Sequence, residues 1–278
     1  MRLKVIDVSE HQGRIDWKTV AGTDVVAAMI RDGYGVKAAN QVDAQLKNNV
    51  EGCKTNGVLY GFYHYSYAKT LAGVEQEAQF CLENIAGVQG EPCFPVAIDM
   101  EEAAAAKVGR ALLTKMALRF CELIKKAGYI PLVYCNLDWA RNYLDIPQLQ
   151  GAGIDLWLAE YTSAAAPNWD GSEAMWQYSS KGKVRGISGN VDLSWCFKDF
   201  TLKKSKPAPA PAPAAVRVGS KVRVKNGARD YTGKRLASFV FSTIYTVLSI
   251  RGNRVVIGLN GKVTAAVRAN DLYSYSTS

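Results

Sequence analysis

The segment Pro95-Val96-Ala97-Ile98-Asp99-Met100-Glu101 is an apolar run that ends in two acids one residue apart. In a strand, residues two apart share a face, so Asp99 and Glu101 point the same way and Glu102 points elsewhere. Asp7 has the same placement at the close of Leu3 to Val8, and Asp192 in Gly189-Asn190-Val191-Asp192-Leu193 is a further candidate. Taken singly, each is a strand-end carboxylate of the kind that caps a turn or a helix. Brought together, they meet the needs of glycosidic bond cleavage: one acid protonates the leaving oxygen and other carboxylates stabilise a cationic sugar. Close carboxylates also raise one another's pKa, which keeps one protonated near neutral pH. Tyr63, Tyr65, Tyr134, Trp157, Tyr161 and Trp176 stand at or near strand ends, where aromatic rings suit the apolar faces of sugars. For Tyr65 and Trp176 core packing is an equal reading.

Separated acids converge only if a sheet gathers them. Short apolar runs at Leu3 to Val8, Val25 to Arg31, Leu59 to Tyr65, Val96 to Met100, Leu132 to Cys135 and Leu156 to Ala159 read as strands. Between them, Ala44 to Thr55, Val74 to Ile85 and Arg110 to Ala127 carry helical periodicity. Strand and helix in alternation predict an α/β fold with a mostly parallel sheet whose carboxyl ends open on the site. The pattern alone leaves a closed barrel and an open sheet both possible.

The alternation stops at Lys203-Lys204-Ser205-Lys206, after which Pro and Ala alternate from Pro207 to Ala214. Such a run favours extended polyproline II and acts as a semi-rigid spacer. The expected organisation is a catalytic domain over 1–202, a Pro-Ala linker over 203–215 and a second domain over 216–278. In the last, Lys221 to Lys225, Ile244 to Ile250, Arg254 to Leu259 and Lys262 to Val267 read as short alternating strands. Turn signals stand at Arg251-Gly252-Asn253 and Asn260-Gly261. A small β-barrel is predicted. From Lys203 onward there are seven Lys and seven Arg against Asp230 and Asp271, a balance of +12, so the +9 of the whole chain leaves −3 for the remainder. A basic tail on a mildly acidic body implies an anionic surface as its partner.

The two histidines, His11 and His64, are too few and too scattered for a zinc site, and no metal or cofactor is expected. The six cysteines show no C-x-x-C pair and read as small buried apolar residues, with one or two disulfides as the rival reading. Neither histidine offers an obvious pairing to activate a cysteine nucleophile. No run of about 20 apolar residues is present, so membrane insertion is not expected. Tyr231, Phe239, Phe241 and Tyr245 amid the basic residues of the tail raise nucleic-acid binding. No phosphate loop or RNA-binding motif accompanies them, and that reading is set aside.

With these residues in place, the first domain resembles the glycoside hydrolase family 25 lysozymes, the Chalaropsis type. The resemblance runs from Asp7 to about Phe200, through Asp7-Val8-Ser9, Gln12-Gly13, Ile15-Asp16-Trp17, Gly61-Phe62-Tyr63-His64-Tyr65 and Glu77-Ala78. It continues through Pro95 to Glu101, Leu156-Trp157-Leu158-Ala159-Glu160-Tyr161, Trp176-Gln177-Tyr178 and Val191-Asp192. It implies a TIM-like barrel of parallel strands with some antiparallel closure, hydrolysing the β-1,4 bond between N-acetylmuramic acid and N-acetylglucosamine. It further implies Glu101 as general acid and Asp99 as the residue that assists the substrate's own 2-acetamido group, giving retention. Asp7 and Asp192 would complete an acidic floor, with Tyr63, Tyr134, Trp157 and Tyr161 along the groove. Arg31-Asp32-Gly33-Tyr34-Gly35 departs from the Lys-Ala-Ser/Thr-Glu-Gly of many members, and resembles an Arg-x-Gly-Tyr-Gly variant. That departure bears on groove contacts at Arg31 and Tyr34; Asp32 adds an acid near the site and receives no role.

The tail is similar to bacterial SH3-like wall-binding domains, which implies bacterial peptidoglycan and wall polymers as partners. Its ligand is read as teichoic acid or another phosphate-rich wall surface, or equally as peptide cross-bridges. Without a signal segment at the N-terminus, the chain looks like a phage endolysin made in the host cytoplasm and released to the wall. An autolysin whose leader was removed is the competing reading. A non-catalytic wall glycan-binding protein is the rival from another class, and a chitinase-like glycosidase would share the acids; oligomeric state is left open.

Overall fold

The computed structural model describes residues 2–36, 39–201, 217–225, 227–241 and 243–275. The predicted linker lies outside the described residues. The chain divides into two compact units, each described by itself.

The first unit is a closed barrel of β1 (Leu3–Val8), β2 (Val25–Tyr34), β3 (Leu59–Tyr65), β4 (Val96–Asp99), β5 (Pro131–Asn136), β6 (Asp155–Ala159), β7 (Met175–Gly182) and β8 (Val191–Cys196). Neighbours pair in parallel from β1 to β7, and β8 closes the barrel antiparallel to both β7 and β1. Helices α1 (Trp17–Ala21), α2 (Leu46–Asn56), α3 (Leu71–Gly87), α4 (Ala103–Ala106), α5 (Arg110–Lys126), α6 (Leu137–Asn142) and α7 (Ile146–Gly151) fill the connections. Several start on side-chain caps that satisfy otherwise orphaned N–H groups: Thr70 for α3, Asn136 for α6 and Asp145 for α7.

Strand alternation sorts the apolar residues into two cores. Ile6, Ile30, Phe62, Ile98, Val133 and Leu158 face outward into the layer shared with the helices, while Val5, Met29, Ala97, Leu132, Met175 and Cys196 fill the barrel interior. Each large side chain removed from water in this way contributes about 1.5–3 kcal/mol. The interior positions one step further along the parallel strands are polar or aromatic, and they form the barrel's mouth.

The strand β2 carries a register shift between Arg31 and Gly33. A Cβ on Gly33 would meet the carbonyl oxygen of Gln41 at 2.4 Å, and Gly35 has φ +59°. The two glycines of the Arg-x-Gly-Tyr-Gly segment therefore let the 39–42 segment fold back onto the strand end. Asp32 faces away from the mouth, into the layer between barrel and helices. There both of its oxygens lie 3.1 Å from His64 Nδ1, and Asn84 Nδ2 donates to Oδ2 at 2.8 Å. The second ring nitrogen of His64 donates to the Gly35 carbonyl at 3.0 Å. Alternation on β2 and β3 puts Asp32 and His64 on the same outer face, a pairing the sequence did not suggest.

Burial pulls the His64 imidazole pKa down, but the Asp32 carboxylate outweighs it and the net shift is upward from 6.5. A raised folded-state pKa contributes stability that is full below about 6.5 and is lost as pH rises through the folded value. Replacing His64 by Gln leaves Asp32 buried without its cation, an expected cost of about 3–5 kcal/mol. In thermal melts across pH 5 to 9, the gap between wild type and His64→Gln should narrow as pH rises; a constant gap would argue against the ion pair.

The second unit is an antiparallel sheet in the order β12-β11-β10-β9-β13, with β9 Lys221–Val224, β10 Ile244–Arg251, β11 Arg254–Leu259, β12 Lys262–Arg268 and β13 Leu272–Tyr275. Val222, Val224, Tyr245, Val247, Val255, Ile257 and Val267 form its core. All six cysteines are free, and all but Cys93 are buried.

Candidate active site

Asp7 lies near the end of β1 and Asp99 closes β4, both pointing into the barrel; Glu101 follows two residues later on the same side. The strand β8 runs the opposite way, so Asp192, near its start, arrives at the same end. In the register of β1 and β8, Asp7 and Asp192 are directly opposed. Opposed like charges are unfavourable in a sheet, and here an amide holds the pair: Gln177 Nε2 donates to Asp7 Oδ2 at 3.0 Å and to Asp192 Oδ2 at 3.2 Å. The Gln177 Oε1 accepts from the hydroxyls of Tyr134 at 3.0 Å and Tyr161 at 2.8 Å.

A cavity of about 220 Å³ opens there, lined by Asp7, Asp99, Glu101, Asp192, Arg31, Tyr63, Tyr134 and Trp157 together with His11, Tyr65 and Gln177. Trp157 is 1% exposed, donates its indole N–H to Ser194 Oγ at 3.1 Å and meets Tyr134 and Tyr63 edge to face. It is the floor of the cavity. Tyr161, 56% exposed, does not line the cavity but reaches its lining through the hydroxyl it donates to Gln177 Oε1. Tyr34 does not line the cavity; its ring lies 5.5 Å from the Arg31 guanidinium and its hydroxyl donates to the Asn40 carbonyl. Arg31 is held by Asp43 at 2.8 Å and Glu10 at 2.7 Å, so its reach into the cavity is fixed. Trp176 points away, packing on Tyr178 and donating to the Glu160 carbonyl, as core packing predicts. Glu102 accepts from Ala104 N–H and Tyr65 hydroxyl, capping α4 and leaving the cavity to Glu101.

Four acids around so small a volume hold their protons more tightly than free carboxyls. Asp7 is pushed well up by burial, then by Asp192, against the Gln177 hydrogen bond. Asp99 is pushed well up by burial, then by Glu101 and Asp7, with Arg31 opposing. Glu101 is raised by burial and Asp192, against the Tyr134 hydroxyl, and Asp192 by burial. The cluster titrates as a unit. One oxygen of Asp99, Oδ1, is buried with no hydrogen-bond partner among the described residues. An unpartnered buried acceptor costs about 1–3 kcal/mol, and a donor on a bound molecule would satisfy it.

Asp32, His64 and Cys81 place ligand atoms within 4.8 Å of one another. Both nitrogens of His64 are already engaged with Asp32 and Gly35, which suits an imidazolium in an ion pair and leaves no lone pair for a metal.

Sequence reasoning did not single out Gln177 or His11. For Gln177 the signal was the alternation of β7, where Met175 and Gln177 share the inward face. Replacing Gln177 by Leu should strand the Tyr134 hydroxyl and release the two aspartates, with a stability cost of about 1–3 kcal/mol and at least about tenfold loss of hydrolysis. Denaturant unfolding and initial rates check this; wild-type values in both would show that the amide holds nothing.

A barrel that gathers acids of raised pKa at the carboxyl ends of its strands has the architecture of a glycoside hydrolase. Residues 6–187 match the model of the glycosyl hydrolases family 25. The uncharacterized protein YegX of Escherichia coli (strain K12) is 31% identical over 199 residues, covering 68% of this chain and 67% of that protein. An autolytic lysozyme of Clostridium acetobutylicum is 29% identical over 191 residues, covering 69% of this chain and 55% of that protein. Among solved structures, the CTP1L endolysin superposes with a TM-score of 0.61 and 30% identity, over 72% of this chain and 68% of that one. The chain belongs to glycosyl hydrolase family 25. It is an enzyme, a glycoside hydrolase, and the non-catalytic reading falls away.

Proposed function

We propose that the chain is a muramidase of bacterial peptidoglycan, cutting the β-1,4 bond between N-acetylmuramic acid and N-acetylglucosamine with retention. The observation that carries the reading is the acidic cavity, where Glu101, its pKa raised by burial and Asp192, stands beside Asp99, whose Oδ1 is buried and unpartnered among the described residues. Lysozyme and endolysin relatives support the substrate class.

In this reading Glu101 gives its proton to the glycosidic oxygen, and the N-acetylglucosamine side leaves as an alcohol. The acetamido oxygen of the muramic residue attacks C1 from the opposite face and closes a positively charged ring. Its N–H donates to Asp99, and the cationic ring favours the carboxylate form that burial otherwise opposes. Glu101, now a carboxylate, takes a proton from water as the water attacks C1. The acetamido ring reopens and the configuration is retained. Asp7 and Asp192, held by Gln177, keep the mouth electronegative as positive charge develops. Following the anomer formed first by NMR tests the stereochemistry: the β-anomer supports acetamido participation, the α-anomer contradicts it.

The second unit serves in this reading as an SH3-like wall-binding domain, joined through the Pro-Ala segment. The protein acts on the wall after release from the cytoplasm in which it is made, in the manner of a phage endolysin. Tethering raises the local concentration of the catalytic unit at its polymer. Deleting the chain from Val216 onward should therefore lower the rate on whole walls by about 10-fold or more while changing the rate on soluble fragments little. Equal loss on both substrates would make the second unit structural.

A further inference from the structure

In the second unit, the antiparallel registers place Arg251 of β10 opposite Arg254 of β11, and Arg254 opposite Arg268 of β12. Directly opposed residues on neighbouring strands share a face, so the three arginines stand in one lateral row. The adjoining row, Ile250, Val255 and Val267, faces the core, which puts the arginines on the outer face, and all three are exposed. Neighbouring strands lie about 4.7–4.9 Å apart, and like charges at that separation weaken a sheet. Among the described residues, no carboxylate forms an ion pair with any of the three.

An aromatic ring completes the row. Tyr231 lies 5.8 Å from the guanidinium carbon of Arg254 and 5.9 Å from that of Arg268, and it is 39% exposed. Its backbone N–H donates to the Ala266 carbonyl at 2.7 Å, which ties its turn to β12. The acid in that turn, Asp230, is engaged within it, accepting from Thr232 N–H, Thr232 hydroxyl and Lys234 N–H at 2.7–2.9 Å. The sheet thus holds a repulsive cationic row against an aromatic support, an arrangement that a repeating anion would relieve.

We propose that Arg251, Arg254, Arg268 and Tyr231 form a binding site for the phosphates of a phosphodiester-linked polyol polymer of the bacterial wall, a teichoic-acid chain. The cationic row rests on the sheet register alone; the choice of occupant rests on the wall-hydrolase reading of the first unit. Guanidinium groups grip phosphate oxygens through paired N–H donors. Phosphates spaced along a flexible polyol meet the row in succession, and the Tyr231 ring offers the carbon backbone an apolar face.

The test uses the full-length chain and purified poly(glycerol phosphate) free of peptidoglycan, followed by calorimetry at low and moderate salt. Wild type should bind, more weakly as salt rises. Arg251→Gln/Arg254→Gln/Arg268→Gln should lose at least about tenfold in affinity, and a control with the same charge removed, Arg217→Gln/Lys225→Gln/Lys262→Gln, less than about twofold. Removing the repulsion should leave the melting temperature of the triple variant unchanged or raised. If it melts lower, Arg251→Gln alone, at an exposed strand end, should still weaken binding, and its failure to do so overturns the site. The proposal is likewise overturned if wild type does not bind, if the control loses as much, or if a single-stranded oligonucleotide of equal phosphate count binds as tightly. Because the polymer holds no glycosidic bond of the wall glycan, failure of the hydrolase reading would show separately, as inactivity on soluble glycan fragments.

Discussion

Replacing Glu101 by Gln should reduce peptidoglycan hydrolysis by on the order of 10³-fold, because in the proposed mechanism it removes the proton donor and little else. Wall binding should be unaffected, as measured by co-sedimentation with intact walls. Glutamine preserves the shape of the side chain and its capacity to face the Tyr134 hydroxyl, so the lost function is the proton. The wild-type rate should fall as pH rises through the Glu101 pKa, which burial and then Asp192 lift above that of a free glutamate. In the variant that limb of the pH profile disappears. The stability consequence has the opposite sense. A carboxyl with a raised folded-state pKa leaves the fold most stable below its unfolded pKa of about 4.3, and stability declines as pH rises through the folded value. The neutral amide removes that penalty, so Glu101→Gln should melt at a higher temperature than wild type at neutral pH while doing almost nothing to substrate. A variant that keeps near-wild-type rates would remove Glu101 from its role.

The second large effect is expected at Asp99. Changing it to Asn keeps the volume and, in the proposed mechanism, leaves an acceptor for the acetamido N–H that cannot carry a negative charge beside the cationic ring. Preorganised charge of this kind is worth about 10²–10³ in rate. The loss should fall on kcat more than on KM, because the interaction strengthens only as the ring closes. Asp99→Asn should also relieve the burial that pushes the Asp99 carboxyl well up, and so raise thermal stability at neutral pH. Equal losses in Asp99→Asn and Asp99→Ala on kcat would fit the charge reading; an Asn variant near wild type would mean that Asp99 only shapes the cavity. The two carboxyls differ in their surroundings. Asp99 is almost wholly buried with an oxygen unpartnered among the described residues, whereas Glu101 is half-buried and open to solvent.

Much of this was legible in the sequence because strands buried on both faces read as short continuous apolar runs. The runs read at Leu59 to Tyr65 and Arg254 to Leu259 coincide with β3 and β11; the run at Val96 is one residue longer than β4, and that at Leu132 is one residue shorter than β5 at each end. The three predicted helices are α2, α3 and α5, the long ones, with bounds shifted by up to three residues. The short helices α1, α4, α6 and α7, of four to six residues, cannot establish a 3.6-residue period. The strands β7 and β8 escaped for a different reason: they carry half-buried and exposed polar residues, such as Ser180 and Lys181 on β7 and Asp192 on β8, so the apolar run is diluted. Barrel closure depends on those two strands, which is why the pattern alone could not decide between a barrel and an open sheet.

At the site, the acids were visible because a carboxylate at the inward end of an apolar strand is costly without a purpose. The roles of neutral side chains were not. Gln177 binds two aspartates and two tyrosines at once, yet in sequence it is one amide between Trp176 and Tyr178. Asp32 illustrates the converse: an acid one residue from Arg31 sits on the opposite face, because side chains alternate, and serves His64 instead of the sugar. The lone histidine of Gly61-Phe62-Tyr63-His64-Tyr65 thus belongs to the packing layer, and Tyr63 and Tyr65 on either side of it line the cavity.

The most direct test is to digest purified peptidoglycan with the full-length protein, reduce the products with borohydride and identify the reduced sugar by mass spectrometry. Reduced muramic acid ends are predicted. Reduced glucosamine ends would place the cut on the other glycosidic bond, and released peptides without any cut glycan would contradict the account of the acidic cavity.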